Sequence, residues 1–250
     1  MIEHAIRRTP KAVIPYITAG LPDLDTTGEI IQALSEAGAA AIEIGLPFSD
    51  PMADGPVLQK ASQMAISAGF TMEAFAAHLR DWSSLVAVPL IIMSYINPIM
   101  RHGLKKTLTG FAEAGIQGVI IPDLPSDGRE IFDLCESIDI DLIRLVAPTT
   151  TPKRHVEVLS QCSGFVYAVS VKGVTGARQD LPEEISLQVQ RIKSMTDLPV
   201  CVGFGISTAE QVTNMLAFAD GVIVGSFLME RIMNASDPAG AAHEAFAGLM

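Results

Sequence analysis

Cysteine is scarce in this chain: Cys135, Cys162 and Cys201 are the only three, and they lie far apart. None belongs to a C-x-x-C pair or stands near a histidine at metal-ligand spacing, so neither a disulfide framework nor a metal site is expected. They read as buried free thiols of a reducing compartment. Positive charge is short as well. Lys and Arg number 17 against 28 Asp and Glu, a formal net charge of −11. The basic footprint that nucleic acid or an anionic membrane requires is missing. Long apolar runs are absent too: the longest, Val86 to Met93, falls far short of the ~20 residues that cross a bilayer. Glu3, Arg7, Arg8 and Lys11 occupy the stretch where a signal peptide keeps its apolar core, so a cytoplasmic protein is expected. No composition break or low-complexity tract marks a linker, which leaves residues 1–250 as one domain.

What the chain has in quantity is hydrophobic residues, 49% of the total, with 20 Gly and 15 Pro to punctuate them. One unit recurs from end to end: a short β-branched run, a Gly/Pro/Asp-rich turn, then a stretch of helical period. The runs Ala12–Thr18, Ala40–Ile44, Val88–Ser94, Gly118–Ile121, Asp141–Val146, Gly164–Val169, Val200–Val202 and Gly221–Val224 read as strands. They are nearly continuous in apolar character, as parallel strands covered on both faces must be. Helical period follows in Thr26–Ala37, Leu104–Ala114, Gly128–Ser137, Glu183–Ser194 and Ala209–Ala217. Asp25, Ser126 with Asp127, and Ser207 are the expected caps. Eight strands at about 31 residues per unit match a (β/α)8 TIM barrel. A doubly wound open sheet is the rival, but the turn after the first strand, Thr18 to Pro22, lacks the G-x-G-x-x-G spacing. Extra helices are expected at Met72–Leu85, after Val57–Ala68, and beyond the eighth strand, where Gly225-Ser226-Phe227 opens a helix toward Met233.

Barrel chemistry lies at the C-terminal ends of the strands. Glu43 stands in an apolar strand between Ile42 and Ile44 and faces opposite to both, so it can point into the barrel mouth. A carboxyl there is desolvated, and its pKa rises toward the range where it can give and take a proton. The alternative is a buried ion pair, and Arg144 is the only basic residue inside a strand to make one. The loop that follows carries Asp50 and Asp54 among three prolines, either as turn residues or as part of the site. Tyr95 and Asn97 after the third strand, Asp123 after the fourth and Tyr167 within the sixth also reach the catalytic face, with a plain turn at Asp123-Leu124-Pro125 as the alternative for Asp123. Gly173-Val174-Thr175-Gly176, Gly203-Phe204-Gly205 and Gly225-Ser226 end the last three strands. Glycines there let backbone N–H groups and a helix dipole hold a phosphate. The five histidines fall in helical or N-terminal segments and are expected on the solvated surface.

Taken together, Glu43-Ile44-Gly45-Leu46-Pro47-Phe48-Ser49-Asp50-Pro51 and Ala53-Asp54-Gly55-Pro56 resemble the signature of the tryptophan synthase α subunit family. The likeness continues through Pro15–Gly20, Tyr95–Pro98, Pro122–Pro125, Gly173–Gly176, Gly203–Ile206 and Gly225-Ser226, nearly the whole chain in order. The resemblance implies a carbon–carbon lyase that cleaves indole-3-glycerol phosphate to indole and glyceraldehyde 3-phosphate. It makes Glu43 the acid/base and Asp54 the second catalytic carboxylate. It puts Tyr95, Tyr167, Thr175, Gly176, Phe204, Gly205, Gly225 and Ser226 around substrate and phosphate, and Asp50, Asn97 and Asp123 with loop closure and the partner. That partner is a β subunit in an α2β2 tetramer, holding the pyridoxal phosphate, with no cofactor in this chain. Two departures stand out. The segment before the first strand is short, so the helix that usually plugs the barrel floor is expected to be reduced. Tyr16 stands where phenylalanine is frequent. Other phosphate-binding barrels, such as sugar-phosphate epimerases, place lysines on their strands, and none is found here. A non-catalytic regulatory subunit would have no need of both Glu43 and Asp54.

Overall fold

The computed structural model describes residues 1–125, 127–169, 181–203 and 205–250. Its eight strands are β1 (Val13–Thr18), β2 (Ile42–Gly45), β3 (Leu90–Met93), β4 (Gly118–Ile120), β5 (Asp141–Val146), β6 (Val166–Val169), β7 (Val200–Gly203) and β8 (Gly221–Val224). All pair in parallel and in chain order, and β8 returns to β1 to close the barrel. Each expected strand is present, within two residues at most boundaries. The apolar runs are continuous because both faces are buried. Ile42 and Ile44 point out to the helical layer, while Ile14, Ile91, Ile120, Ile143 and Ile223 fill the barrel interior.

The helices that matter for the site are α1 (Ile2–Arg8), α2 (Leu24–Glu36), α3 (Pro56–Ser67), α4 (Met72–Leu85), α5 (Ile96–Arg101), α6 (Leu104–Glu113) and α7 (Arg129–Ser137). They are followed by α8 (Pro152–Leu159), α9 (Leu181–Lys193), α10 (Ala209–Leu216), α11 (Ser226–Asn234) and α12 (Pro238–Ala247). The extra helix α4 has the expected bounds, and the region after β8 is doubled into α11 and α12. Three caps differ from expectation. Asp23, not Asp25, caps α2 by accepting from the Thr26 N–H at 2.7 Å, because the helix begins two residues early. Thr208, not Ser207, caps α10, in a capping box with Gln211. Asp127 is no cap either, since Gly128 precedes α7 without a side-chain bond. Ser126 lies outside the described residues.

The floor plug is two turns long, as its short segment requires, and it still seals the barrel. Ile2 and Ile6 on α1 are fully buried beneath the strands, packed with Ala12, Ala41, Ile143, Phe165 and Cys201. Gly118 on β4 makes the space for Ile2, whose side chain a Cβ there would strike. Ion pairing supports the helix only at its surface, through Arg7 to Glu3 at 2.9 Å. His155 departs from the solvated reading: it is buried on α8, and burial lowers its pKa.

Candidate active site

The parallel register carries Tyr16, Glu43 and Ile91 across β1, β2 and β3 as direct neighbours on the inner face. Tyr16 lies flat over Gly45, where an added Cβ would overlap its ring and hydroxyl. The same device recurs across the mouth, where Tyr167 on β6 lies over Gly203 on β7. Two phenols thus lie against glycines on neighbouring strands, and Glu43 stands within the electrostatic reach of both.

Glu43 is 1% exposed, and neither of its oxygens has a hydrogen-bond partner among the described residues. Burial, and then the nearby Asp54 charge, push its carboxyl up to about 8. The ion-pair alternative fails on geometry. Arg144 points outward into the layer between β5 and its covering helices, where it bonds backbone carbonyls. A carboxyl so placed is protonated at neutral pH and poised to transfer that proton.

Asp54 is brought to the mouth by the loop between β2 and α3. Its own N–H donates to Pro51 O at 3.1 Å, and its carbonyl accepts from the Gln59 side chain at 2.8 Å. The Ala53 N–H donates to the Tyr95 hydroxyl at 2.8 Å, and that hydroxyl in turn donates to Asp54. Burial raises Asp54 to about 6, with the Tyr95 bond pulling the other way. Phe48 packs on Tyr95 with ring centroids 5.2 Å apart and holds the phenol in place. Two carboxyls thus share one mouth, one neutral and one ionised near pH 7.

The other expected residues fall around this pair. Asp123 accepts from the Ile96 N–H at 2.8 Å, tying the loop after β4 to the start of α5. Asn97 lies in α5, just after β3, and is exposed at the rim. Asp50 is exposed and accepts from Ser49 Oγ at 2.6 Å, away from Glu43. Gly205 has no neighbour among the described residues within 4 Å of where a side chain would start. Gly225 precedes α11 with no side-chain cap, leaving the first N–H groups of a nine-residue helix, beginning at Ser226, for a ligand. Thr175, Gly176 and Phe204 lie outside the described residues. Sequence reasoning missed Thr18, buried at the C-terminal end of β1, whose hydroxyl bears on the Tyr16 phenol. Its signal was a polar residue two positions beyond Tyr16 on the same face of the strand.

A closed (β/α)8 barrel with two unlike carboxyls in its mouth, one buried and one half-buried, defines a TIM-barrel enzyme of the acid–base type. Comparison narrows the class. The family described as "Tryptophan synthase alpha chain" matches residues 2–247. The tryptophan synthase alpha chain of Carboxydothermus hydrogenoformans is 50% identical over 228 residues, 91% of this chain and 85% of that relative. That of Bacillus cereus is 42% identical over 234 residues, 93% of this chain and 91% of the other. Among solved structures, the α subunit of Legionella pneumophila superposes with a TM-score of 0.90 at 31% identity, covering 99% of this chain and 96% of that one. The tryptophan synthase complex of Pyrococcus furiosus gives 0.88 at 32% identity, covering 96% and 97%. The chain belongs to the tryptophan synthase alpha chain family and is a lyase of the α reaction.

Proposed function

We propose that Glu43 and Asp54 divide the acid–base work of the α reaction, the retro-aldol cleavage of indole-3-glycerol phosphate to indole and glyceraldehyde 3-phosphate. The observation that carries this reading is a buried carboxyl at about 8 and a half-buried one at about 6 in one mouth. Protonated Glu43 gives its proton to indole C3, and the positive charge that develops on the ring N–H faces ionised Asp54. The Glu43 carboxylate so formed takes the proton of the hydroxyl on the adjacent glycerol carbon. The carbon–carbon bond then breaks, its electrons return to the ring, and indole and the aldehyde leave with Glu43 protonated again. Tyr16 and Tyr167 wall the indole side, while Gly205, Gly225 and Ser226 serve the phosphate, with Thr175, Gly176 and Phe204 completing that end. Holding the far end of the substrate supplies orientation.

The competent form needs Glu43 protonated and Asp54 ionised. Activity as kcat/KM should therefore be bell-shaped with pH, falling below about 6 as Asp54 gains a proton and above about 8 as Glu43 loses one. A profile flat from pH 5 to 9 would contradict the division of roles. At the phosphate end, Gly205→Val should fold, since nothing among the described residues stands in the way of its side chain. It should raise KM about tenfold, the worth of one hydrogen bond to a charged group, with kcat little changed. An unaltered KM would remove Gly205 from the site.

We extend the reading to a partner. Met52 on the loop after β2 and Met100 on α5 are 88% and 55% exposed at the rim, beside Asp50 and Asn97. That apolar, mouth-side surface suits a β subunit that receives indole directly, in a cytoplasmic α2β2 assembly whose pyridoxal phosphate sits in the β chains. No helix among the described residues is long and apolar enough to cross a membrane. Indole release from indole-3-glycerol phosphate, measured with and without β subunit, tests both parts. No release in either condition would refute the lyase reading. Full-rate release by the isolated chain, unchanged by β subunit, would leave a free-standing lyase.

A further inference from the structure

Arg144 is a guanidinium buried in an apolar layer, 4% exposed, and among the described residues no carboxylate pairs with it. Its Nη2 donates to Pro125 O at 2.7 Å and to Leu124 O at 3.4 Å, and its Nη1 donates to Gln161 Oε1 at 3.3 Å. Burying a cation without an anion is a poor way to stabilise a wall, since an apolar side chain of similar volume serves better. What the guanidinium does is grip the turn after β4 from beneath. Pro125 O also accepts from the Gly128 N–H at 3.2 Å, and the Leu124 N–H donates to Ile121 O at 3.1 Å, so the turn is pinned on both sides. A side chain on Gly128 would collide with Leu124, which keeps the turn tight.

The neighbour of Leu124 is Asp123, which holds the Ile96 N–H. The neighbour of Ile96 is Tyr95, whose hydroxyl holds the Ala53 N–H and donates to Asp54. A run of polar contacts, each one residue from the next, thus crosses the mouth from the wall of β5 to the loop of β2. We infer that Arg144 is a positioning residue for Asp54, acting through the Leu124–Pro125 turn, Asp123 and Tyr95. The inference rests on the reading of Asp54 as the carboxylate facing the indole nitrogen.

The test compares Arg144→Met, which keeps an unbranched apolar stem and loses every donor, with Arg144→Lys, which keeps the charge without the planar fork. Arg144→Met should lower kcat about 3- to 30-fold with KM within about twofold, the range of coupling carried through such networks. The acid limb of kcat/KM should move upward by about half a pH unit or more, because a displaced Tyr95 no longer offsets the burial of Asp54. Arg144→Lys should recover part of both effects. In the ligand-free protein, where no turnover is involved, amide exchange at Ile96 and Ala53 should quicken in Arg144→Met. That last measurement separates the two readings: a protein without lyase activity can still show the exchange change. Lyase activity with unchanged exchange, kcat and acid limb in Arg144→Met would reduce Arg144 to wall filling and overturn the inference. If Arg144→Met does not fold, Asp123→Ala removes the acceptor for the Ile96 N–H and breaks the next link with Arg144 in place. It should quicken exchange at Ile96 and move the acid limb in the same direction, and no movement of either would overturn the inference as well.

Discussion

Glu43→Gln should fold normally and lose the lysis by at least ~10²–10⁴-fold, the usual worth of a general acid–base group. The loss should sit toward the upper end because one carboxyl makes two transfers in each turnover. The amide fills the same volume on β2 and cannot deliver a proton to indole C3. Single-turnover formation of indole, compared with the wild type at pH 7, measures it, and near-normal turnover would sink the mechanism. The same variant has a thermodynamic signature of opposite sense. Because the folded pKa of Glu43 is raised from the usual 4.5 to about 8, its proton contributes stability that is fully present below pH 4.5 and lost as pH rises through about 8. Glutamine has no proton to lose. The melting temperature of Glu43→Gln should therefore overtake that of the wild type progressively across this window and lead by a constant margin above it.

Asp54→Asn should cost ~10²–10³-fold in kcat, the scale of removing one preorganised charge or donor facing a developing charge. KM should move little, because the lost interaction belongs to the transition state. Two changes in the pH profile should accompany the loss. The limb near 6 should vanish with the group that makes it. The limb near 8 should shift to lower pH, since the Asp54 charge is one of the two causes that raise Glu43. If the limb near 6 persisted in Asp54→Asn, another group would own it and the assignment of roles would be wrong.

Glu43 is legible in the sequence because a carboxyl inside an apolar run costs too much to bury unless it reacts or pairs with a cation. The eight strands are legible because burial on both faces writes them as unbroken β-branched runs. What a linear reading cannot supply is anything decided by register. The overlap of Tyr16 with Gly45 and of Tyr167 with Gly203 joins residues on neighbouring strands, 29 and 36 positions apart, and only the parallel pairing reveals it. Arg144 resembles a partner for Glu43 only while alternation along β5 is not counted against alternation along β2. Its side chain leaves by the outer face. Helix α5, which carries Asn97, is too short to show a helical period, and a proline lies within it. Yet Pro98 sits in the first turn of α5, where a missing N–H costs nothing. The two-turn α1 gives too short a period to announce a plug.

That plug has a practical consequence for anyone handling the molecule. Trimming the first six residues would remove Ile2 and Ile6 and open a void under Gly118, whereas residues added ahead of Met1, 80% exposed, meet open solvent. The opposite end of the chain arrives at the same face, with the Met250 carbonyl accepting from Lys11 just ahead of β1. A purification handle, a fluorophore or a surface tether can therefore be hung from either terminus on the floor side, a full barrel's depth from the mouth.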